Sequence, residues 1–401
     1  MNMQYRAAEM AGGLLDVAIG EDFPDLRDGV RRLCAQFPGE YWRQNEAKSG
    51  YPTAFVEALT KAGYLAALIP EAYGGAGLPV RAAGVILEEI NAAGCTASQC
   101  HAQMYIMGTL LRHGSEAQKM RYLPRIAAGD LRLQAFGVTE PGSGSDTTKL
   151  RTRAVRDGDD YVITGQKVWT SRALHSDLML LLVRTTPHDQ IVKKTDGLSV
   201  LLVDLQAAKG QGMEIRPLQA MVNHNTTEIF FDGLRVPAAN LIGEEGRGFR
   251  YILDGMNAER VLVAAEAIGD GRWMIEKATA YAKERVVFDR PIGQNQAVQF
   301  PIARAYASLQ AADMMVRKAA ALFDARRDCG ADANMAKLLA ADAAWEAAEA
   351  AMQTFGGFAY ATEYDVERKW REIRVGRTAP ISVNLILAYI GQHVLGMPRS
   401  Y

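Results

Sequence analysis

Cysteine, histidine, long apolar runs and an excess of one charge are all missing or scarce in this 401-residue chain. Its 4 cysteines, Cys34, Cys95, Cys100 and Cys329, show no CxxC spacing. That excludes a secreted disulfide framework and predicts reduced thiols in a cytoplasmic protein. The 6 histidines are scattered, with no HExxH and no His pair beside carboxylates at ligand spacing, so no metal site is expected. The longest apolar candidate, around residues 178–183, falls far short of the ~20 residues that span a bilayer, so no membrane span is expected. With 45 basic against 46 acidic residues, the net charge of −1 gives no electrostatic case for a nucleic-acid partner. Residues 1–20 hold neither a basic segment followed by a long apolar stretch nor an Arg-rich composition, which predicts no secretory or transit leader.

What is present is ordinary globular material, 49% apolar and 23% charged. At ~100–200 residues per domain the length predicts two or three units. Across residues 22–133 apolar residues recur at helical spacing, as in Leu26, Val30, Leu33 and Phe37, with Pro52, Pro70, Gly74-Gly75 and Pro79 as breaks. The texture changes near Phe136. Short β-branched runs follow at 161–164, 167–170, 178–184, 198–203 and 228–231. Turns at Asp157-Gly158-Asp159 and Asp232-Gly233 separate them, which predicts a small antiparallel β unit. After Gly246-Arg247-Gly248 helical patterns return, densest in alanine over 303–351. The expected fold is mainly α with a β domain: an N-terminal helical domain at 1–135, a middle β domain at 136–244 and a C-terminal helical bundle at 245–401.

Four features carry chemistry. Gly142-Ser143-Gly144-Ser145-Asp146 could bring backbone N–H groups and hydroxyls to a phosphate. It lacks the third glycine of a dinucleotide fingerprint and the Lys of a P-loop, and a plain Ser/Gly loop reads equally well. Ile252, Met256, Glu259 and Val263 share one helix face, placing a carboxylate in an apolar stripe where desolvation favours a base. A buried Glu paired with its neighbour Arg260 is the plainer reading of the spacing. Lys167-Val168-Trp169-Thr170-Ser171 reads alone as a strand with a core Trp. Arg285, followed by Phe288 and Arg290-Pro291, is an anion clamp or a solvated helix end.

Together these segments resemble the acyl-CoA dehydrogenase family. The resemblance rests on Val138-Thr139-Glu140-Pro141-Gly142-Ser143-Gly144-Ser145-Asp146, on Gly165-Gln166-Lys167-Val168-Trp169-Thr170-Ser171 and on Phe231-Asp232-Gly233-Leu234-Arg235-Val236-Pro237. It continues through Gly243-Glu244-Glu245-Gly246-Arg247-Gly248-Phe249, then Gln353 with Gly356-Gly357, and Glu363-Tyr364-Asp365-Val366-Glu367-Arg368. It implies FAD held by a β domain and C-terminal helices, an acyl-CoA substrate, an electron-transferring flavoprotein as acceptor, and a homotetramer built as a dimer of dimers. Carried over by position, Val138, Thr139, Gly144, Ser145, Trp169, Thr170 and Ser171 would meet the flavin and its pyrophosphate. Arg285, Phe288, Gln296, Gln353, Gly356, Gly357, Ser382 and Asn384 would hold the rest of FAD, partly that of a neighbouring subunit. Ser145, Met256, Asn257, Arg260 and His101 would face the thioester, with Gln99, Cys100, Gln103 and Tyr105 near the acyl group. Asp289 departs from the glycine of many members.

The base position departs further. Many members carry a Glu in a late Tyr-Glu-Gly-Thr segment, where this chain reads Ala379-Pro380-Ile381-Ser382. Isovaleryl- and long-chain-type members place it on the helix opening the C-terminal domain, immediately before an Arg, and Glu259-Arg260 fills that place. The resemblance and the apolar stripe thus select the same carboxylate. In relatives a backbone N–H at the late position helps polarise the thioester carbonyl; Pro380 has none. Two other readings stand beside the dehydrogenase: a flavin monooxygenase or oxidase on the same scaffold, and a non-catalytic helical assembly or nucleic-acid-associated relative. Glu259 disfavours a monooxygenase, which needs no α-proton base.

Overall fold

The computed structural model describes Gly20 and residues 22–399, so the leader question of residues 1–19 lies outside the described residues. Six helices come first: α1 (Pro24–Cys34), α2 (Gly39–Ala47), α3 (Thr53–Lys61), α4 (Val80–Ala92), α5 (Ser98–His113) and α6 (Glu116–Ala128). Strands β1 (Leu133–Gly137), β2 (Arg153–Asp157), β3 (Asp160–Ser171), β4 (Leu178–Arg184), β5 (Leu198–Asp204), β6 (Met213–Pro217), β7 (Thr226–Pro237) and β8 (Leu241–Ile242) follow. The chain then forms α7 (Gly248–Glu284), a hairpin of β9 (Val286–Val287) and β10 (Arg290–Pro291), and helices α8 (Gln296–Asp324), α9 (Gly330–Phe355), α10 (Val366–Val375) and α11 (Val383–Tyr389).

By contacts the chain divides into two compact units. One comprises Phe37–Leu78 and Thr96–Met256; the other comprises the segment ending at Gln36, Pro79–Cys95 and Asn257–Tyr401. The boundary cuts α7 between Met256 and Asn257.

The first unit is built on an 8-stranded sheet of order β6-β7-β3-β2-β4-β5-β8, with β1 against β4. It is mixed, which corrects the antiparallel expectation: β1 and β2 both run parallel to β4. β4 explains why its sequence is unbroken Leu, Met and Val. Leu178, Leu180 and Leu182 enter a core shared with Ile106, Leu110 and Leu123, whereas Met179, Leu181 and Val183 enter another with Ile163 and Ile229. A strand buried on both faces has no polar alternation to show. The runs at 161–164 and 167–170 are one strand, β3. Asp157-Gly158-Asp159 does turn between β2 and β3, with Gly158 at φ 60°. Asp232-Gly233 does not separate strands. Gly233, at φ 72°, is the extra residue of a bulge within β7, opposite the Ile163–Thr164 step.

The second unit packs helices at small residues. Ala305, Ala344, Ala347, Ala348 and Ala351 join Trp273, Met274 and Phe355 in one core. A side chain at Gly269 would collide with the Glu88 carbonyl oxygen, so α7 and α4 touch backbone to backbone. The α1 stripe differs from the apolar spacing. Arg27, Val30 and Cys34 are buried, and Phe37 lies beyond the helix. Glu88 and Glu89 on α4 explain the arginine: both are buried and both bind the Arg27 guanidinium. Two desolvated carboxylates require a cation there. The alanine-rich stretch is two helices, α8 and α9, parted at 325–329.

Candidate active site

Within the sheet unit, β1 delivers the chain to Val138 and Thr139. Glu140 and Ser143 exchange backbone hydrogen bonds of 3.2 and 3.0 Å, closing a tight loop over Pro141-Gly142. The Ser143 hydroxyl donates to the Asp146 carbonyl at 2.5 Å. Gly142 and Gly144 have nothing within 4 Å of where a Cβ would stand, and Ser145 is exposed, so the loop presents an open backbone cradle.

Beside it, Val168 N–H donates to the Thr139 carbonyl at 2.9 Å. The β3–β7 register then slips between Lys167 and Thr170. Trp169 sits in the slip at φ 60° and is 60% exposed, which corrects the core-Trp reading. A bulky residue in the left-handed region is strained, and such strain gathers at ligand sites. Thr170 is buried with its hydroxyl oxygen unpartnered among the described residues, while Ser171 Oγ accepts from Asn223 Nδ2 at 2.7 Å.

Behind this wall lies a feature the motif reading passed over. Lys167, 0% exposed, donates from Nζ to Glu140 Oε1 at 2.8 Å and to the Val138 carbonyl at 3.0 Å. Burial pushes its pKa down to about 8, against the pull of Glu140. Burial also works to raise the Glu140 pKa, but Lys167 and the Arg151 backbone N–H hold it below the ordinary value. The available signal was a lysine inside a strand-forming run.

On α5, the His101 ring lies 5.1 Å from Tyr105, and Tyr105 lies 6.2 Å from Phe136, just ahead of the loop. Cys100 and Gln103 instead reach the carbonyls of Tyr64 and Leu65. The acyl-pocket candidates therefore split, with the aromatic pair on the β1 side.

On α7, Glu259 of the helical unit is 8% exposed and Ile252 of the sheet unit is buried, while Met256 and Val263 are half-buried. The stripe is real. Arg260 donates from Nη1 to Asn257 Oδ1 at 2.8 Å, and its Nε is buried with no partner. Burial lowers the Arg260 pKa, opposed by Glu259, Tyr389 and Cys329. In the late segment, the Ile381 carbonyl accepts from Nζ of the fully buried Lys337 at 2.7 Å. Ser382 caps α11 by accepting from Leu385 N–H, and Asn384 is exposed.

The remaining candidates of that unit are solvent-facing. Phe288 and Asp289, at φ 53° and 64°, form the two-residue turn of the β9–β10 hairpin. Two positive φ values define a type I′ turn, which an Asp tolerates better than most residues, so Asp289 is accommodated. Phe288 stands 94% exposed at the tip. Arg285 lies over the Phe358 ring at 5.6 Å. Gln296 opens α8, and Gln353 lines an open groove with Arg304 and Trp345. Gly356 and Gly357 have open space at their Cβ positions.

An open glycine cradle, a strained exposed indole and an unpartnered hydroxyl together fit a flat, phosphate-bearing cofactor. The comparisons decide its kind. The N-terminal, middle and C-terminal domains of the acyl-CoA dehydrogenases match residues 20–130, 135–234 and 246–380. The chain belongs to the acyl-CoA dehydrogenase family. The acyl-CoA dehydrogenase FadE12 of Mycobacterium tuberculosis is 34% identical over 384 residues, covering 95% of this chain and 98% of that one. A glutaryl-CoA dehydrogenase in complex with glutaryl-CoA superposes with a TM-score of 0.88 at 28% identity, covering 96% of this chain and 98% of that one. A glutaryl-CoA dehydrogenase from Mycobacterium smegmatis bound to FADH2 superposes with a TM-score of 0.87 at 25% identity, covering 97% of both chains. As an acyl-CoA dehydrogenase the chain takes FAD and acts on CH–CH bonds. Among the described residues no helix is long and apolar enough to cross a membrane.

Proposed function

We propose that this FAD-dependent acyl-CoA dehydrogenase desaturates an acyl-CoA thioester with Glu259 as the base for the α-proton. The observation that carries this is a carboxylate 8% exposed on the helix that opens the family's C-terminal domain. A desolvated carboxylate is a stronger base than one in water and loses less driving force to hydration. Bound FAD supplies the acceptor for the β-hydrogen, which leaves as hydride.

The chain's own groups do the rest. Thr139, Thr170 and Ser171 would orient the ring, and Trp169 would pack on it. Gly144 and Ser145 would receive the pyrophosphate, and Val138 the ring edge. Met256, Asn257, Arg260 and His101 would line the thioester and acyl path. Arg285, Phe288, Gln296, Gln353, Gly356, Gly357, Ser382 and Asn384 would hold the distal part of FAD, a task that suits an exposed Phe288 only if another subunit completes the site. A dimer of dimers, an electron-transferring flavoprotein as acceptor and a cytoplasmic setting for 4 buried cysteines outside any disulfide belong to the same reading.

Anaerobic titration of the yellow protein with acyl-CoAs of differing length, branching and polarity tests it. Bleaching of the flavin by at least one thioester, with slow reoxidation by O₂, is expected. Fast reoxidation by O₂ would favour an oxidase on the same scaffold, and no bleaching by any thioester would reject the reading.

A further inference from the structure

The Lys167–Glu140 pair has no part in the proposed proton or hydride transfer, yet both partners are buried behind the proposed flavin wall. Four hydrogen bonds converge on it. Lys167 reaches Val138 O and Glu140 Oε1, while Glu140 also accepts from Thr152 N–H at 2.9 Å and Arg151 N–H at 2.6 Å. The lysine stem passes over Gly137, whose absent Cβ would lie 3.5 Å from Lys167 Cγ. One ammonium thus ties the loop at Val138–Glu140 to the strand that carries Trp169, Thr170 and Ser171.

Stability is a poor account of it. A buried ion pair replaced by apolar residues of similar volume is often neutral or stabilising. What an apolar pair cannot do is grip the Val138 carbonyl and the Arg151 and Thr152 N–H groups together.

We infer that Lys167 and Glu140 are positioning residues that lock the two flavin-facing segments in register, each balancing the other's charge behind them. This rests on the flavin reading of that wall. Lys167→Met would take the hydrogen-bonded ammonium from a carboxylate that is 7% exposed and held by two backbone donors, with Arg184 as the remaining buried cation in electrostatic reach. Negative charge left near an electron acceptor lowers its potential. Freed segments also hold the ring less well. Adding Glu140→Gln removes the charge but does not restore the lock.

The test measures FAD affinity, flavin midpoint potential and thermal unfolding for wild type, K167M and K167M/E140Q. K167M is expected to bind FAD at least ~10-fold more weakly, as for one lost charge-assisted hydrogen bond, and to show a lower potential. In K167M/E140Q the potential should return toward wild type while affinity stays ~10-fold weak. A merely structural pair would leave the flavin potential of the double variant no closer to wild type than that of the single, and that result overturns the inference. So does wild-type FAD affinity in K167M/E140Q, the arm that remains informative if K167M does not fold. Colourless wild-type protein that cannot be loaded with FAD would reject the flavin reading itself, a result distinguishable from failure of the variants alone.

Discussion

Two buried lysines, one in the sheet unit and one in the helical unit, hold their charge in different ways. Lys167 and Lys337 are each 0% exposed, and burial pushes each down to about pKa 8. Lys167 has a carboxylate at 2.8 Å. Lys337 has a carbonyl at 2.7 Å and, among the described residues, no carboxylate at ion-pair distance, because Asp342 pairs with Arg377 at 2.9 Å. Arg260, in the same unit, also has its pKa lowered by burial. Beside Lys167 the charge is balanced by Glu140, behind the wall proposed to hold FAD. Beside Lys337 it is left as surplus cation, unlike at Lys369 of the same unit, also 0% exposed, which pairs with Asp270 and Glu372.

Glu259→Gln would break that comparison most severely. It keeps size and hydrogen bonding but cannot accept the α-proton, so single-turnover flavin reduction should fall at least ~10²-fold with thioester binding little changed. Pro380→Glu added to that variant should restore part of the rate only if the late segment also faces the α-carbon. No rescue leaves Glu259 as the base position of this chain.

Arg285→Ala probes the exposed rim of the helical unit. Loss of a charge-assisted contact should weaken FAD retention by ~10-fold or more and reduce assembly in parallel, read by flavin absorbance across gel filtration. Full FAD occupancy in a monomeric wild-type protein would contradict it.

Lys337→Met sharpens the contrast directly. With its folded pKa near 8, Lys337 binds fewer protons in the folded chain than in the unfolded one between about pH 8 and the ordinary lysine range. Stability therefore rises with pH across that window, and the variant should show a shallower rise in chemical denaturation at pH 7.5 and 9.5. The rise should not vanish, since Lys167 titrates with the same sign. An unchanged slope would show that the Lys337 pKa is not depressed in the folded chain.

The smallest effect is expected at Trp169. Trp169→Gly relieves a left-handed backbone and should stabilise FAD-free protein by about 1 kcal/mol while weakening FAD binding. Destabilisation of the FAD-free form would mean that the indole packs as structure.

The parts legible in the sequence were those with local rules. Glu259 was reached from a four-three-four spacing on α7, and the Gly142–Asp146 loop and Asp157-Gly158 turn from residues that favour special backbone angles. β1 escaped because five residues leading out of a helical region carry no alternation, and its parallel partner lies far along the chain. Asp232-Gly233 misled because a bulge and a hairpin demand the same left-handed glycine. Lys167 and Lys337 were hidden for a different reason. Lysine reads as surface unless the carboxylate or carbonyl that receives it is known, and both acceptors are distant in sequence.

Proton abstraction at Glu259 is tested most directly by α-proton exchange. FAD-loaded wild type and Glu259→Gln would be held anaerobically in D₂O with an acyl-CoA that bleaches the wild-type flavin, and deuterium at the α-carbon followed by NMR. Exchange by wild type and at least ~10²-fold slower exchange by the variant is the expected result. Exchange at the wild-type rate in Glu259→Gln would contradict the base assignment.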